Sequence, residues 1–394
     1  MWMPLLNFFI INSSMPDKNH HLFLTAFFVA TLIALIFIVS FNYLIDPFDY
    51  FKPPIIVGLN DKKLESTQER FDKAAKIIVK KPTAIMLGSS RVRAGFPLTY
   101  YNQLAGGQAY KAAFSGARFD EIFGYFEHAL YNQPDLKAVF LSLDFFAFAS
   151  QLEPVAEYRE DRLRRASLSF SDWAQCLLSQ QTIKFSWSTF KHNINPKKLE
   201  EVAGYYVKID ENDFILLNPI IVKNPVQFLK EEKRLIFNNY EIDDKKVAMF
   251  RKLVQRCQEN NIDLKVVFSP AHVYYWEALY QCNCWKALEN LKRQLSAIYP
   301  IYDFSGFCAF NQEDLSIGNS NRRFFEVSHF TPLYGQIILD RVYGKENGCH
   351  EQEAGFLLNP QTVELYLTKI RKQRDDWIEK NFDLAIWLQN QLNI

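Results

Sequence analysis

The segment TAIMLGSSR, residues 83–91, joins a short apolar run to one glycine and two serines. An uncharged run of this length, followed at once by Gly88, predicts a buried strand that ends in a tight turn. Further apolar runs follow along the chain at residues 110–114, 138–145, 264–269 and 301–304. Strands that are apolar almost throughout are typical of a parallel sheet covered on both faces. The pattern therefore predicts an α/β domain.

Segments with helical periodicity separate these runs, as a sheet covered on both faces requires. We predict helices at residues 65–80, 97–104, 119–131, 243–259, 275–297, 332–341 and 363–392. The rhythm breaks between about residues 146 and 239, where Asn, Lys, Gln and aromatic residues dominate. We interpret that stretch as a cap inserted into an α/β domain at residues 83–345, which a helical extension at 346–394 follows.

Residues 22–45, LFLTAFFVATLIALIFIVSFNYLI, contain no charge. About 20 apolar residues in a helix cross the hydrocarbon core of a bilayer. No small-x-small cleavage site follows the run, so we predict an uncleaved transmembrane signal anchor. Residues 1–21 would then be a cytoplasmic tail, an orientation that rests on Lys18, and Met15 is an alternative start for a shorter tail. Residues 46–82, which begin DPFDYFKPP, predict an extended juxtamembrane linker and a helix.

The composition excludes some classes of function and leaves others open. A net charge of +1 in 394 residues provides no electrostatic footprint for nucleic acid. The 35 Phe and 19 Tyr residues suit a thick core, and equally a groove that stacks sugars. The six cysteines are scattered, and Cys282 and Cys284 lack the spacing of a zinc hairpin. We expect structural thiols or one incidental disulfide, no metal site and no cofactor.

Ser90 lies just past the first predicted strand, where α/β sheets place their ligands. It would begin the following helix, whose N–H groups favour developing negative charge. Later the chain reads FFEVSHFTPLYG, with His329 on a loop three residues after Glu326. A nucleophilic serine needs a base, and the base needs a carboxylate that orients it. Both features also have structural interpretations, since serine often caps helices and histidine often packs in cores.

Six stretches, taken in order, resemble the SGNH (GDSL-like) hydrolase superfamily. They are IMLGSSRVRAGF, AYKAAFSGARFDEIF, AVFLSLDFFAF, VVFSPAH, YDFSGF and SHFTPLYGQIILDRV, which span about residues 83–342 outside the insertion. Within the superfamily, the chain is most similar to the membrane-anchored bacterial branch, which includes proteins of D-alanyl transfer to teichoic acids and of alginate O-acetylation. The resemblance implies a three-layer α/β fold with a parallel sheet.

The resemblance also implies roles for individual residues. Ser90 corresponds to the nucleophile and His329 to the general base, with Glu326 in the place of the family's aspartate. The backbone N–H groups of Ser90 and Gly116 correspond to the oxyanion hole. Asp144 stands where many members have an asparagine, and an ionised carboxylate cannot donate to an oxyanion. Three interpretations stay open: Asp144 is protonated, it binds a substrate hydroxyl, or the site is inactive.

Further polar residues follow predicted strand ends, where they would face the same cleft. Arg91, Arg93 and Arg118 suit an anionic or acyl-carrying substrate, and a structural ion pair or surface solvation is the alternative for each. His272, in the segment SPAH after the fourth strand of the domain, would line the pocket. We therefore treat Arg91, Arg118 and His272, together with Asp144, as candidate substrate-binding residues.

Two expectations about function follow. The first is an extracytoplasmic serine esterase or O-acyltransferase that acts on cell-envelope glycan through an acyl-serine intermediate. The resemblance implies a multi-spanning membrane acyltransferase as partner, and anchorage in the bacterial inner (cytoplasmic) membrane with the soluble domain in the periplasm. The second is a catalytically inactive scaffold that binds glycan or an assembly partner. A nucleotide-binding protein is disfavoured, because GSSRVRAG is not a phosphate-binding loop of the GxxxxGK[ST] type.

Overall fold

The computed structural model of the protein describes residues 17–64, 68–195, 206–210, 213–216, 224–315, 322–345 and 355–393. The chain forms two compact units. The smaller comprises Met1–Leu64 and Ser169–Pro196, and the larger comprises Glu65–Leu168 and Lys197–Ile394. Most of the predicted tail at residues 1–21 lies outside the described residues.

The larger unit contains a mostly parallel six-stranded sheet. Its strands are β1 (Ala84–Ser89), β2 (Ala109–Phe114), β3 (Ala138–Leu143), β6 (Asp263–Phe268), β7 (Ile301–Asp303) and β8 (Phe356–Leu358), in the spatial order β2-β1-β3-β6-β7-β8. All neighbouring pairs are parallel except β7 and β8, which are antiparallel. The predicted α/β class with a parallel sheet is confirmed at this level.

The two faces of this sheet bury two different sets of side chains. In β1, Ile85 and Leu87 join one apolar cluster, whereas Ala84 and Met86 join another. The alternation follows from the two-residue period of a strand. Every residue of β1 and β3 is buried, which explains why both strands are apolar almost throughout.

Helices connect and cover the strands of the larger unit. They are α2 (Glu69–Lys80), α3 (Ser90–Gly95), α4 (Leu98–Ala105), α5 (Phe119–Asn132), α8 (Pro225–Glu232), α9 (Asp244–Glu259), α10 (Val273–Gln281), α11 (Trp285–Ser296), α12 (Pro332–Val342), α13 (Val363–Lys380) and α14 (Phe382–Leu392). A π-helical turn at Lys233–Phe237 extends α8.

Two long predicted helices are each divided in the structure. The helix predicted at 275–297 is α10 and α11, because Asn283 between them has a left-handed backbone with φ of 61°. Asparagine adopts this conformation more readily than most residues. The helix predicted at 363–392 is α13 and α14, which meet at Asn381, whose side chain donates to the carbonyl of Trp377. Helical periodicity continues across both breaks, so the pattern alone did not reveal them.

Three short strands escaped the sequence analysis. The antiparallel strand β8 has only three residues and pairs with β7. Within the predicted insertion, β4 (Tyr206–Asp210) and β5 (Asp213–Leu216) form a separate antiparallel pair. Strands this short carry little periodic signal.

The smaller unit contains one long apolar helix, α1 (Asp17–Ile45), and two shorter helices, α6 (Phe170–Leu178) and α7 (Gln180–Ile194). Within α1, the 27 residues Asn19–Ile45 are long and apolar enough to cross a membrane. Both shorter helices pack against α1. They come from the middle of the predicted insertion, which the sequence analysis had assigned to a cap.

The segment directly after α1 begins with a turn and a bend at residues 47–49, and residues 52–56 have no regular secondary structure. Asp46 has a φ of 44°, and its carboxylate accepts from the backbone N–H groups of Tyr50, Phe51 and Lys52 at 2.9–3.1 Å. The Lys63 ammonium donates to the carbonyls of Ile45 and Asp46 and so satisfies the end of α1. The carboxylate and the ammonium together fold this segment back on the helix end.

Candidate functional site

The carboxyl ends of three adjacent strands bring the first site residues together. Because β1 lies between β2 and β3 in parallel register, Ser90, Gly116 and Asp144 all follow strand ends at the same edge of the sheet. This is the edge at which α/β sheets bind ligands. The topology thus places the segments that follow these three strands side by side.

In the turn after β1, Ser90 is partly exposed to solvent whereas Ser89 is buried. Ser89 is buried and caps α3, since its hydroxyl accepts from the N–H of Arg91 at 3.1 Å. Ser90 is the first residue of α3 and is partly exposed. Gly88 is required before them, because a Cβ there would lie 2.4 Å from Val92 Cγ2 and 2.9 Å from a backbone carbonyl. The two serines are therefore not equivalent.

A tight loop presents His329. The N–H of Phe325 donates to the carbonyl of His329 at 2.9 Å, which closes the loop around Glu326. The carboxylate of Glu326 accepts from the backbone N–H groups of Ser328 and His329, both at 2.8 Å. It also bonds to Nδ1 of the His329 ring. The longer side chain of glutamate thus reaches the imidazole while it organises its own loop.

Close packing between α12 and α3 brings this loop to the serine. Gly335 on α12 lies so near Gly95 on α3 that a Cβ at Gly335 would be 1.8 Å from the Gly95 carbonyl oxygen. Phe330, next to His329, packs edge-on against Phe96 with ring centroids 5.1 Å apart. Two glycines therefore permit the approach that places residue 329 beside residue 90.

The hydroxyl of Ser90 and the ring of His329 are in hydrogen-bond contact. The distance from Ser90 Oγ to His329 Nε2 is 2.8 Å. Because an ionised carboxylate only accepts, Nδ1 of His329 carries the proton that bonds to Glu326. Nε2 is then free to accept the Ser90 proton. The three residues stand in the order of hydroxyl, imidazole and carboxylate that serine catalysis requires.

Gly116 lies in the turn that follows β2 with a φ of 55°. Among the described residues, its N–H has no hydrogen-bond acceptor. Ser115 just before it is held by Glu69, which accepts from the Ser115 N–H at 2.6 Å and from its hydroxyl at 2.8 Å. Glu69 also pairs with Arg93. Arg93 therefore supports the turn through an ion pair, the structural alternative that the sequence left open.

Asp144 pairs with Arg91 in the interior. Arg91 Nη1 lies 2.8 Å from Asp144 Oδ1, and each side chain is 1% exposed. Arg91 Nη2 and Asp144 Oδ2 have no partner among the described residues. The two side chains thus form a buried ion pair, in which each supplies the opposite charge that the other needs away from water.

The pair is linked to the histidine loop, a connection that the sequence analysis missed. Arg91 Nε donates to Ser328 Oγ at 3.3 Å, and Ser328 is the residue whose N–H binds Glu326. The guanidinium also lies over the ring of Tyr275, 4.7 Å from its centroid. No sequence spacing relates positions 91, 144 and 328, because only the fold brings them together.

Glu232, at the end of α8, is a second carboxylate near Arg91 that the sequence did not suggest. The Tyr275 hydroxyl donates to Glu232 Oε2 at 3.4 Å. Burial raises the pKa of Glu232 to about 7, an effect that the positive charge of Arg91 only partly offsets. Glu232 therefore changes charge near neutral pH beside the candidate site.

Arg118 and His272 are occupied by backbone groups. The Arg118 guanidinium donates to the carbonyl of Gly116. The ring of His272 is buried, with Nε2 2.7 Å from the carbonyl oxygen of Glu313 and Nδ1 accepting from the N–H of Tyr274 at 3.3 Å. Burial lowers the pKa of His272 to about 4, so it is neutral. Its contacts are those of a helix cap, and neither ring nitrogen remains for a substrate.

The described residues contain no cluster of histidine, cysteine and carboxylate side chains that could hold a metal ion. Cys257, Cys282, Cys284 and Cys308 are free thiols. Cys349 lies outside the described residues.

No protein-family model matches this chain, and a search of curated proteins finds no similar sequence.

Proposed function

We propose that this chain is a membrane-anchored serine esterase or O-acyltransferase that works through an acyl-serine intermediate. The observation that carries the proposal is the contact of 2.8 Å between Ser90 Oγ and His329 Nε2, with Glu326 bound to the other ring nitrogen. The two segments are separated by 239 positions in the chain. Convergence of three suitable groups in the right order is the geometric signature of an activated serine.

The proposed reaction has two halves. Ser90 Oγ attacks the carbonyl carbon of an acyl ester, and His329 Nε2 takes the hydroxyl proton and passes it to the leaving alcohol oxygen. The acyl group is then esterified to Ser90. An acceptor hydroxyl, or water, gives its proton to Nε2 and attacks the acyl carbon, and the Ser90 oxygen leaves and recovers that proton. Glu326 keeps the imidazole in the required tautomer throughout.

The N–H groups of Ser90 and Gly116 are the proposed donors to the oxyanion. An ionised Asp144 cannot be a third donor, so we assign its role to the partner that it holds. Arg91 carries the positive charge of the pair, and its Nη2 has no partner among the described residues. A guanidinium N–H is a stronger donor to an oxyanion than an asparagine amide, because it is charged.

The resemblance to the SGNH superfamily gives this proposal its finer form. It places Ser90, Gly116 and His329 in three of the motifs of that fold, and it treats residues from about 146 to 239 as an insertion. Within the larger unit, the end of that stretch supplies Glu232, which contacts Tyr275 beside Arg91. We propose that this end of the insertion covers the candidate site as a cap.

The proposed acceptor is a hydroxyl of cell-envelope glycan, and the proposed location is the outer side of the bacterial cytoplasmic membrane. An apolar helix long enough to span a bilayer supports tethering. A tether confines an enzyme to lipid-linked or wall-bound substrates. By the same resemblance, a multi-spanning membrane acyltransferase would supply the acyl group.

A second candidate function is a catalytically inactive scaffold that binds glycan or an assembly partner. The observation that favours it is Asp144, a buried carboxylate at a position where an oxyanion hole needs donors. Under this proposal, the pair with Arg91 would serve only to hold the histidine loop.

Covalent labelling separates the two candidates. The detergent-solubilised full chain is treated with a fluorophosphonate probe, and the labelled peptide is identified by mass spectrometry. The enzyme proposal expects a label on Ser90, its loss in Ser90→Ala, and its retention in Ser89→Ala. Ser89→Ala is the matched control, since it removes a neighbouring hydroxyl that caps α3, at a cost of about 1 kcal/mol.

Hydrolysis of p-nitrophenyl acetate is the second readout, and it should follow the labelling in all three proteins. A folded wild-type chain that shows neither label nor turnover would support the scaffold. Labelling at Ser89 instead of Ser90 would contradict the assignment of the nucleophile.

A further inference from the structure

Helix α7 in the smaller unit buries four uncharged polar side chains and leaves two large apolar ones exposed. The buried residues are Thr182, Ser186, Thr189 and Asn193, whose spacing of four, three and four places them on one face. Trp187 and Ile194 are 49% and 60% exposed. A helix of a water-soluble domain has the opposite arrangement, with its apolar stripe towards the core.

Four apolar residues of α7 form a face beside the buried polar one. Trp187 and Ile194 on this face are exposed, Ile183 and Phe190 are partly exposed, and the four recur at helical spacing. Lys184 and Lys191 are exposed on the remaining side, and the Lys191 ammonium lies 5.4 Å from the centre of the Trp187 ring. An apolar face with tryptophan, flanked by lysines, is typical of helices that lie in a membrane interface.

Helix α6, which precedes α7, also exposes large apolar side chains. Phe170, Trp173 and Leu178 are exposed by 89%, 44% and 45%. Together with α7 they make a hairpin of two helices with large apolar groups on its outside. An exposed apolar patch of this kind on a folded unit indicates a binding surface for a membrane or for another protein.

The position of the hairpin along α1 identifies what covers it. Protein packing on α1 begins at Ile38, so residues 19–37 carry almost no protein contacts. Those 19 residues are about 28 Å long, close to the 30 Å of a hydrocarbon core. The hairpin therefore begins where a spanning helix would leave the core.

Specific contacts fix the hairpin at that level. Phe41 packs against Trp187 and Phe190, with ring centroids 6.4 and 6.1 Å apart. Asn42 donates to the carbonyl of Leu177 at 2.8 Å. The exposed tryptophan of α7 thus lies beside the last turns of α1, at the depth where tryptophan is enriched in membrane proteins.

We propose that α6 and α7 are an interfacial membrane-binding element. The face of Ile183, Trp187, Phe190 and Ile194 lies at the boundary between lipid headgroups and acyl chains, in the leaflet where α1 ends. Its partner is the phospholipid surface, and Lys184 and Lys191 lie on the headgroup side. The anchor is then a three-helix assembly. This inference does not depend on the proposed enzymatic function.

Fluorescence quenching by brominated lipid tests the proposal on the full chain in phosphatidylcholine vesicles. Bromine near the headgroup end of the acyl chains quenches tryptophan at that depth. The brominated lipid should quench part of the tryptophan fluorescence of the wild-type chain. In Trp187→Phe the quenched fraction should be smaller, because Trp187 no longer contributes to it. Trp387→Phe is the matched control, because Trp387 is 43% exposed on a helix of the other unit, and its removal should leave the quenched component intact.

Moving the tryptophan around α7 gives a second, independent readout. In the Trp187→Phe background, Ile194→Trp restores a tryptophan to the apolar face and should restore the quenching. Ser188→Trp places it on the polar side and should not. Equal quenching in wild type and Trp187→Phe, or restoration by Ser188→Trp, would overturn the proposal. The first of these results is also the one expected if a second copy or another protein covers the face.

Discussion

Around Ser90 the buried polar groups include an ion pair and a third carboxylate and are joined by direct contacts, whereas α7 buries only hydroxyls and one amide. In the first region, Glu326, His329, Arg91 and Asp144 form hydrogen bonds or ion pairs to defined partners. In the second, the buried stripe is neutral, and Trp187 and Ile194 are exposed. Both regions depart from the rule that polar residues lie outside, but in different ways.

The difference shows that burial of polar groups has two distinct causes. Near Ser90, protein surrounds the charges, so each must be compensated inside the fold. On α7, small polar groups allow close helix packing, as they do between transmembrane helices. The outward aromatic face is stable only in contact with an apolar surrounding. We therefore interpret the polar interior of one unit by the proposed chemistry and that of the other by the proposed membrane contact.

The largest expected effect is on catalysis by the charged region. Glu326→Gln keeps the size of the side chain but removes the charge that holds His329 in its tautomer. We expect kcat for p-nitrophenyl acetate to fall by roughly 10²–10⁴-fold. Glu313→Gln is the control, because Glu313 accepts from Arg323 and Phe324 near the same loop but does not touch His329. Equal losses in both variants would assign Glu326 a structural role.

The next effect is on stability. Asp144→Ala leaves Arg91 buried without its partner, so we expect a loss of about 3–5 kcal/mol in the free energy of unfolding. Asp161→Ala removes a carboxylate from an ion pair that is 54% exposed, and should cost less than about 1 kcal/mol. Thermal unfolding of the detergent-solubilised chain measures both. Similar losses would contradict the distinction between the two pairs.

The double variant Arg91→Met/Asp144→Leu sharpens this result, because an apolar pair replaces a buried ion pair at little cost in stability. If Arg91 donates to the oxyanion, this folded variant should lose activity, by roughly 10²–10³-fold in kcat. Full activity in the double variant would exclude that role.

A smaller effect depends on pH. The pKa of Glu232 is about 7 in the folded chain, against 4.5 for an ordinary glutamate, so folding retains a proton that the unfolded chain releases. Stability should therefore fall as pH rises from about 4.5 to about 7 and stay constant above it, by at most about 3 kcal/mol. Glu232→Gln should flatten this profile in thermal unfolding between pH 5 and pH 8. The neighbouring, partly exposed Glu231→Gln should not.

The smallest effect concerns the neutral region. Asn193 exchanges hydrogen bonds with both backbone groups of Lys62 at 2.8 Å and donates to the Thr189 carbonyl at 2.7 Å. Asn193→Ala should cost about 1–3 kcal/mol, because it leaves these groups unpaired. Asn195→Ala, an exposed change two residues away, should be nearly neutral. If the two variants unfold at the same temperature, the buried polar stripe of α7 does not stabilise the unit.

The parallel sheet was predictable because its central strands are buried on both faces and hence apolar throughout. The neighbourhood of Ser90, Gly116 and Asp144 was also predictable, since parallel strands end at one edge. The contacts of Arg91 with Asp144 and Ser328 were not, because they join residues with no regular spacing. His272 was predicted to line a pocket because it follows a strand. Its position in the chain does not determine the direction of its ring, which the structure shows bound to backbone groups.

The division of residues 146–239 between the two units could not be predicted from sequence patterns. A stretch without periodic strands and helices was interpreted as one cap, yet α6 and α7 pack on α1 in the smaller unit while α8 belongs to the larger one. Helical spacing predicts that Trp187 and Thr189 lie on different faces of one helix. It does not predict that the face with Thr189 is the buried one.

The sequence alone determined the apolar helix near the N-terminus, the α/β class and the serine after the first strand, because length, hydrophobic period and turn chemistry are local properties. The tertiary structure shows the contact of His329 with Ser90 that the resemblance implied, and it alone paired Arg91 with Asp144 and placed α6 and α7 on the end of α1. Those contacts join segments that are distant in the chain, and their free energy depends on which side chains are buried against one another. No local pattern records that.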